Sequence, residues 1–369
     1  MSQRLCREKI LAIKPYVPGK PVEEVERELG IKNVIKLASN ENPLGPSPKA
    51  EAAIRKLAAT VSLYPDGNCY YLKETLARRF NVGTDQLFIG NGSDEIIEII
   101  AKAFLEEGEE AVVADPTFSE YDFAVTLMGG VTVAVPLKKL THDLRAMADA
   151  VTENTKLFFI CNPNNPTGTM VDKKAVAELM QRLPERVITV FDEAYHEYVT
   201  DPAYPRTLDY VRAGRNVIIL RTFSKIYGLA GLRVGYALST PEIIGMLNRV
   251  KEPFNVNLLA QAAALAALED TEHLERSVRV NEEGKAYLYE EFDRLGLAYE
   301  PTRANFIWVQ VKADSQKVFQ KLLHLGVIVR TGDIFGAPDV LRVTVGTPEQ
   351  NRRFIAALRS VLTTEGVLG

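Results

Sequence analysis

The stretch TFSKIYGLAGLRVGY, residues 222–236, places a lysine just after a short apolar run, NVIIL, and follows it with two glycines and an arginine. Lys225 reads in two ways. It is a solvated surface charge, or it is an amine in a partly desolvated cleft beside another cation. In the second case its pKa falls and its nitrogen becomes nucleophilic. Arg233 is the nearby cation in sequence, and two cations together suit a phosphate. The glycines let backbone approach a ligand closely. Other apolar runs end on comparable residues. VITVF is followed by Asp192, in DEAY. A carboxylate there is costly unless paired, so it is a helix cap, one half of a structural ion pair, or the partner of a cationic ligand nitrogen. Tyr195 follows three residues later and can present its hydroxyl on the same side. KLFFIC runs into NPNNPTG, residues 162–168, which is a rigid turn or a turn that aims the Asn165 amide at a ligand. LFIG runs into NGSDE, where Ser93 is an N-cap or the turn is a nest of N–H groups for an anion. Glu95 stands where a dinucleotide fingerprint needs its third glycine, and no GxxxxGK[ST] run exists.

The elements that must carry these residues follow a regular grammar. From about residue 86, short apolar strands alternate with helical segments such as SDEIIEIIAKAFLEEG and KKAVAELMQRL. Continuous apolar strands between helices indicate an α/β domain, a mostly parallel sheet covered on both faces. Ligands of such sheets bind at the carboxyl ends of the strands, where the residues above fall. After about residue 255 the pattern changes to LLAQAAALAALED, a long charged helix at 271–296, and strands NFIWVQV, VIVR and LRVTV. That is a smaller α+β domain. The expected division is an N-terminal arm over 1–34, a large domain over 35–255, and a small domain over 256–369 to which the arm contributes.

The bulk properties narrow the classes. The 369 residues suffice for about two domains. With 46% apolar and 25% charged residues the composition is that of a globular protein. A formal net charge of −4 argues against nucleic acid or an anionic membrane as partner. No apolar run is long enough to span a bilayer, and the N-terminus lacks the core of a signal peptide. Cys6, Cys69 and Cys161 are odd in number and widely spaced, which points to a reducing compartment, by default the cytoplasm. The four histidines lack metal-ligand spacing, so no metal is expected.

An anion nest, an Asn, a buried Asp, a Tyr, a Lys and an Arg at strand ends suit one cofactor, pyridoxal phosphate. The lysine carries it covalently and the carboxylate keeps its pyridine nitrogen protonated. Asn and Tyr bond the ring oxygen, and the nest, the hydroxyls and the arginine take the phosphate.

With NPNNPTG, FDEAY and SKIYGLAGLRVG in this order, the sequence resembles the fold-type I pyridoxal-phosphate aminotransferases from about residue 38 to 347. Within them PYVPGK, LASNENPLGPSP, LYPDGN, GNGSDEII, VIVRTG and LRVTVGT are most similar to the histidinol-phosphate aminotransferases. The resemblance implies that Lys225, Asp192 and Tyr195 are catalytic. It implies that Tyr121 stacks on the cofactor ring, with Asn165 and Tyr195 at the ring oxygen. Gly92, Ser93, Asp94, Ser224 and Arg233 then surround the phosphate. Tyr64 reaches the neighbouring subunit's phosphate, so the resemblance implies a homodimer with shared sites. Tyr16, Asn42, Arg330 and Arg342 fall on the substrate side. Ile226 and Tyr227 depart from the Ala-Phe of many relatives and bear on the pocket's shape. The implied reaction moves an amino group between histidinol phosphate and 2-oxoglutarate. The alternatives are an aromatic-amino-acid aminotransferase, a threonine-phosphate decarboxylase, and a regulatory ligand-binding protein on the same scaffold.

Overall fold

In the computed structural model, which describes residues 5–13, 15 and 19–368, thirteen strands form three sheets. In chain order they are β1 (Ile35–Lys36), β2 (Leu87–Gly90), β3 (Glu110–Asp115), β4 (Val131–Pro136), β5 (Thr155–Cys161), β6 (Ile188–Asp192), β7 (Val217–Thr222), β8 (Gly235–Leu238), β9 (Tyr299–Glu300), β10 (Phe306–Gln310), β11 (Val327–Ile328), β12 (Arg330–Thr331) and β13 (Val340–Thr344).

The large sheet has the order β2-β8-β7-β6-β5-β3-β4. Within it, β8 runs antiparallel to both its neighbours, while β3 to β7 are mutually parallel. Both faces are buried, and the alternation along each strand shows it. Phe158, Ile160, Phe191 and Ile219 join one core cluster, and Leu157, Phe159, Val190 and Ile218 join the other. The chain leaves β4 at one edge and re-enters on the far side of β3 with β5. That reversal opens a crevice above the carboxyl ends of β3, β5, β6 and β7.

The smaller sheet, β12-β13-β10-β9, is antiparallel. One face, with Ile307, Val309, Leu341 and Val343, packs on Phe292, Phe354 and Leu358. The alternate residues on β10 and β13, among them Phe306, Arg342 and Thr344, belong to the opposite face, toward the large domain.

Packing draws the boundaries differently from the sequence expectation. Residues 258–268 were assigned to the small domain, yet helix Leu258–Leu268 lies on helices Pro48–Leu57 and Tyr70–Phe80. Its small face, Ala260, Ala263, Ala264 and Ala267, enters the large-domain core. Helix Thr271–Arg294 then spans the joint, with Leu274 and Val278 against the large core and Leu288 and Phe292 in the small one. Residues 35–38, expected in the large domain, go the other way. β1 pairs in parallel with β11, and Thr344 N–H donates to Leu37 O at 2.9 Å. The expected arm contains helix Val22–Leu29, which seats Val25 against Val34, Leu323 and Ile328. Its apolar residues at 22, 25 and 29 have helical spacing, and Gly30 in the left-handed region ends it.

One contact fixes the loop that follows β7. Gly228 has φ +68°, and a Cβ there would lie 2.2 Å from Gly45 O. Gly228→Ala therefore lowers the thermal midpoint by roughly 5 °C or more. Gly231→Ala, at a position with open space around it, leaves the midpoint within about 1 °C in the same calorimetric scan.

Candidate active site

The crevice holds Lys225, Asp192, Tyr195, Asn165 and Arg233 on one cleft. Asn165 follows β5, Asp192 and Tyr195 stand at the end of β6, and Lys225 and Arg233 lie between β7 and β8, which is why no short segment of sequence contains the site.

Lys225 follows β7 by three residues and is half-buried. Its Nζ donates to Ser39 O at 3.4 Å and lies 5.7 Å from the centre of the Tyr195 ring. Burial first, then Arg342 and to a smaller extent Arg233, lower its pKa to about 8 against the opposing pull of Asp94 and Glu41. The dominant neighbouring cation is thus Arg342 rather than the Arg233 expected from sequence. Ile226 and Tyr227 turn into the hydrophobic core and do not line the cleft.

Asp192 ends β6 and is 3% exposed. Its carboxylate accepts from the Tyr121 hydroxyl at 2.7 Å and from Ala194 N at 3.1 Å. Burial nevertheless raises its pKa to about 6. A carboxylate held that way gains from a cationic partner in the cleft.

Of the asparagines in NPNNPTG, two are used by the turn itself. Asn162 exchanges hydrogen bonds with Val171, and Asn164 Oδ1 accepts from Thr117 Oγ1 at 2.8 Å. Asn165 faces the cleft, and its Oδ1 accepts from Arg342 Nη1 at 2.5 Å. Its amide N–H groups are thereby left for the cleft side.

Gly92 and Ser93 open helix Gly92–Phe104. Gly92 has φ +84°, and a Cβ there would lie 2.6 Å from Arg233 Nη2. A Cβ on Gly235 would lie 2.9 Å from Ser93 N. The cradle is built with no room for side chains. Arg233 Nη2 donates to Asp94 Oδ2 at 2.8 Å, and its Nη1 to Ser224 Oγ at 3.4 Å. A helix N-terminus, two hydroxyls and a guanidinium form an anion site. With a covalent-capable amine and a buried carboxylate on the same cleft, this donor set fits pyridoxal phosphate.

Two expected placements are corrected. Tyr121 does not line the cleft. It is 1% exposed, lies flat on Phe159 with ring centres 4.6 Å apart, and gives its hydroxyl to Asp192. Helix Glu120–Leu127 begins just before it and turns it inward. Phe118, still ahead of the helix, is the aromatic residue of this segment that lines the cleft. Asn42 is not on the cleft either. Its amide donates to Ile226 O at 2.7 Å and Ser277 Oγ at 2.9 Å, tying the 39–45 loop to its neighbours. Two residues earlier, Asn40 is on the cleft and donates to the Tyr195 hydroxyl at 2.9 Å. Sequence reasoning missed Asn40 and Phe118, although SNENP and PTFSEY contain them.

Arg330 and Arg342 both line the cleft and are direct cross-strand partners on β12 and β13. Two like charges side by side favour an anion between or above them. Tyr64 lies outside this chain's cleft, 83% exposed and stacked on Phe254 at 4.7 Å. Tyr16 is outside the described residues.

The Lys225 environment has a measurable consequence. In the cofactor-free chain, acylation of Lys225 rises with pH through a midpoint near 8, because only the neutral amine reacts. Peptide mass spectrometry across a pH series reads the midpoint. Arg342→Ala moves it upward, since removing a cation favours the protonated amine.

Comparison with known proteins identifies the family and the fold. The family model described as aminotransferase class I and II matches residues 32–358. A histidinol-phosphate aminotransferase of Moorella thermoacetica is 62% identical over 97% of this chain and 93% of its own. One from Caldicellulosiruptor saccharolyticus is 48% identical over 97% of this chain and all of its own. Among solved structures, the histidinol-phosphate aminotransferase from Sinorhizobium meliloti, in complex with pyridoxal-5′-phosphate, superposes with a TM-score of 0.90 at 30% identity, covering 97% of both chains.

Proposed function

The chain belongs to the class I and II aminotransferases, and from that premise we infer that it transfers the amino group of L-histidinol phosphate to 2-oxoglutarate. The products are imidazole acetol phosphate and L-glutamate, the cofactor is pyridoxal phosphate, and the step belongs to histidine biosynthesis. The observation that carries the reading is the pairing of Arg330 with Arg342 across two strands of the cleft that contains Lys225. One pocket must accept a phosphate monoester and a dicarboxylate in turn, and the planar guanidinium fork binds either group bidentately.

When bound, pyridoxal phosphate supplies an electron sink for the carbanion formed at the substrate's Cα. The chain's residues do the rest. Ser93, Ser224, Arg233 and the helix N-terminus at Gly92 anchor the phosphate. Asp192 faces the ring nitrogen as a carboxylate, and that cation removes the cost of burying it. Asn165 and Tyr195 would donate to the ring oxygen, and Phe118 would offer its face to the ring. Lys225 would hold the cofactor covalently through its Nζ. Its Nζ, partly neutral at physiological pH, would act as the base that takes the Cα proton and as the acid that gives one back. Arg330 and Arg342 hold the substrate's anionic group and so fix which bond at Cα is aligned for cleavage.

Steady-state assays with histidinol phosphate, phenylalanine and threonine phosphate test the assignment. Histidinol phosphate has the highest kcat/KM, and a tenfold preference for phenylalanine rejects it. Lys225→Ala lowers turnover by about 10³-fold or more while the fold is retained. Arg330→Ala lowers kcat/KM for the phosphorylated donor by about 10–100-fold, the loss of a charge-assisted contact.

The proposed assembly is a homodimer with shared sites. Tyr64, Phe254, Leu63, Tyr70 and Tyr71 are exposed apolar residues, and Lys251 Nζ on Gly67 O at 2.6 Å brackets the two segments together. A second copy of this chain covers that patch and receives Tyr64 at its cofactor phosphate. Mixing Lys225→Ala with Tyr64→Ala subunits tests it. Hybrids regain activity, because one of their sites has an intact lysine and the partner's intact tyrosine. Failure of the mixture to exceed its parents, with hybrids verified by native mass spectrometry, rejects sharing. Cys6, Cys69 and Cys161 are unpaired, which supports a reducing compartment such as the cytoplasm.

A further inference from the structure

Two residues of β13 reach the cleft side of the small sheet, Arg342 and Thr344, two positions apart and therefore on one face. Arg342 orients Asn165, as described. Thr344 does something less direct. Its Oγ1 accepts the backbone N–H of Asn40 at 2.9 Å and stands 3.1 Å from Asn40 Oδ1. A hydroxyl has one proton. With the backbone N–H already on a lone pair, that proton is best used on Asn40 Oδ1. The amide of Asn40 is then fixed with its oxygen toward Thr344 and its nitrogen toward the Tyr195 hydroxyl at 2.9 Å. The reverse orientation leaves the Thr344 proton without an acceptor in a site where Asn40 and Thr344 are 1% and 3% exposed. Asn305 Nδ2 on Asn40 O at 3.0 Å holds the backbone, and Asn40 sits at φ +55°.

An amide nitrogen only donates. The Tyr195 oxygen must therefore accept from Asn40, and its own proton has to leave in another direction. We propose that Thr344 and Asn40 are positioning residues that direct the Tyr195 proton into the cleft, onto the ring oxygen of the cofactor. The proposal rests on the pyridoxal-phosphate reading above and deepens it. The small-domain strand β13 then sets the polarity of both groups at that oxygen, Asn165 through Arg342 and Tyr195 through Asn40. The charged and titratable groups around Tyr195 are Lys225, Arg342, Asp192 and Cys161. None of them accepts a hydrogen bond from the Tyr195 hydroxyl among the hydrogen bonds of the described residues, so the Asn40 donation into that oxygen has no competitor there.

The test uses holoenzyme and reads the pH midpoint of the visible absorption change of the bound cofactor. A donor on the ring oxygen favours its anion, so loss of that donor moves the midpoint up. Tyr195→Phe gives the reference shift. Thr344→Val, which lacks the hydroxyl, and Asn40→Asp, whose carboxylate accepts the tyrosine proton and turns it away, each move the midpoint up by about 0.5–1 pH unit. Asp tolerates the left-handed backbone at this position. Thr344→Ser keeps the wild-type midpoint. In the Tyr195→Phe background Thr344→Val adds no further shift, which a merely structural defect does not reproduce. An unchanged midpoint in both Thr344→Val and Asn40→Asp, or an equal shift of Thr344→Val with and without Tyr195, overturns the proposal. A wild-type chain that binds no pyridoxal phosphate overturns the cofactor reading instead, and this inference with it.

Discussion

A carboxylate is buried at the end of a central strand, and among the described residues no salt bridge pairs it with a cation. Asp192 has a hydroxyl and one backbone N–H for partners, and its proton affinity is raised. Burial of an ion is tolerated when something returns the lost solvation. Here the remaining deficit faces the cleft, so the protein is built to be completed by a cation that enters it. The other features follow from that requirement. The parallel sheet supplies a dry strand end for Asp192. The neighbouring parallel strand brings Lys225 to the same rim, and the Gly92 turn gives the incoming molecule a second anchor, one for an anion.

The lysine is the complementary case. Its amine is kept partly neutral by burial and by arginine, while its chain is short of strong acceptors, with Ser39 O at 3.4 Å. At pH 7.5 a group with a pKa near 8 is roughly one quarter neutral, against about one part in a thousand for an ordinary lysine. The arginine that contributes most after burial is Arg342 of the small domain. The same side chain touches Asn165 and Ala38 O, at 2.5 and 2.7 Å. The Asn165 amide and the Lys225 amine are therefore coupled through one guanidinium at the joint between domains.

That joint is more interlaced than two consecutive domains. Residues 35–38 add to the small domain although they precede the large one, and helix Leu258–Leu268 packs on the large domain although it follows it. The long helix Thr271–Arg294 belongs to both cores. The cleft has walls from each body as a result, with Asn40 and Arg342 on one side and Asp192 and Lys225 on the other. A change in the distance between the bodies acts directly on the reacting groups.

The α/β character and the identity of Lys225, Asp192, Asn165, Tyr195 and Arg233 as strand-end residues were legible in the chain. Local patterns carry that information. Apolar runs of strand length report burial on both faces, and Gly, Pro and Asn mark where the chain turns at the rim. Three matters were not legible. PTFSEY offers Phe118 and Tyr121, and SNENP offers Asn40 and Asn42. In each pair the start of a helix or a single left-handed residue decides which side chain meets the cleft. The link from Thr344 to Tyr195 spans residues far apart in sequence and depends on the register of β13, which no local pattern encodes. The sequence by itself determined which chemical groups are present and at which strand ends they stand. Only the tertiary structure decided their direction and their partners, because hydrogen-bond polarity is set by atoms brought together across the two domains.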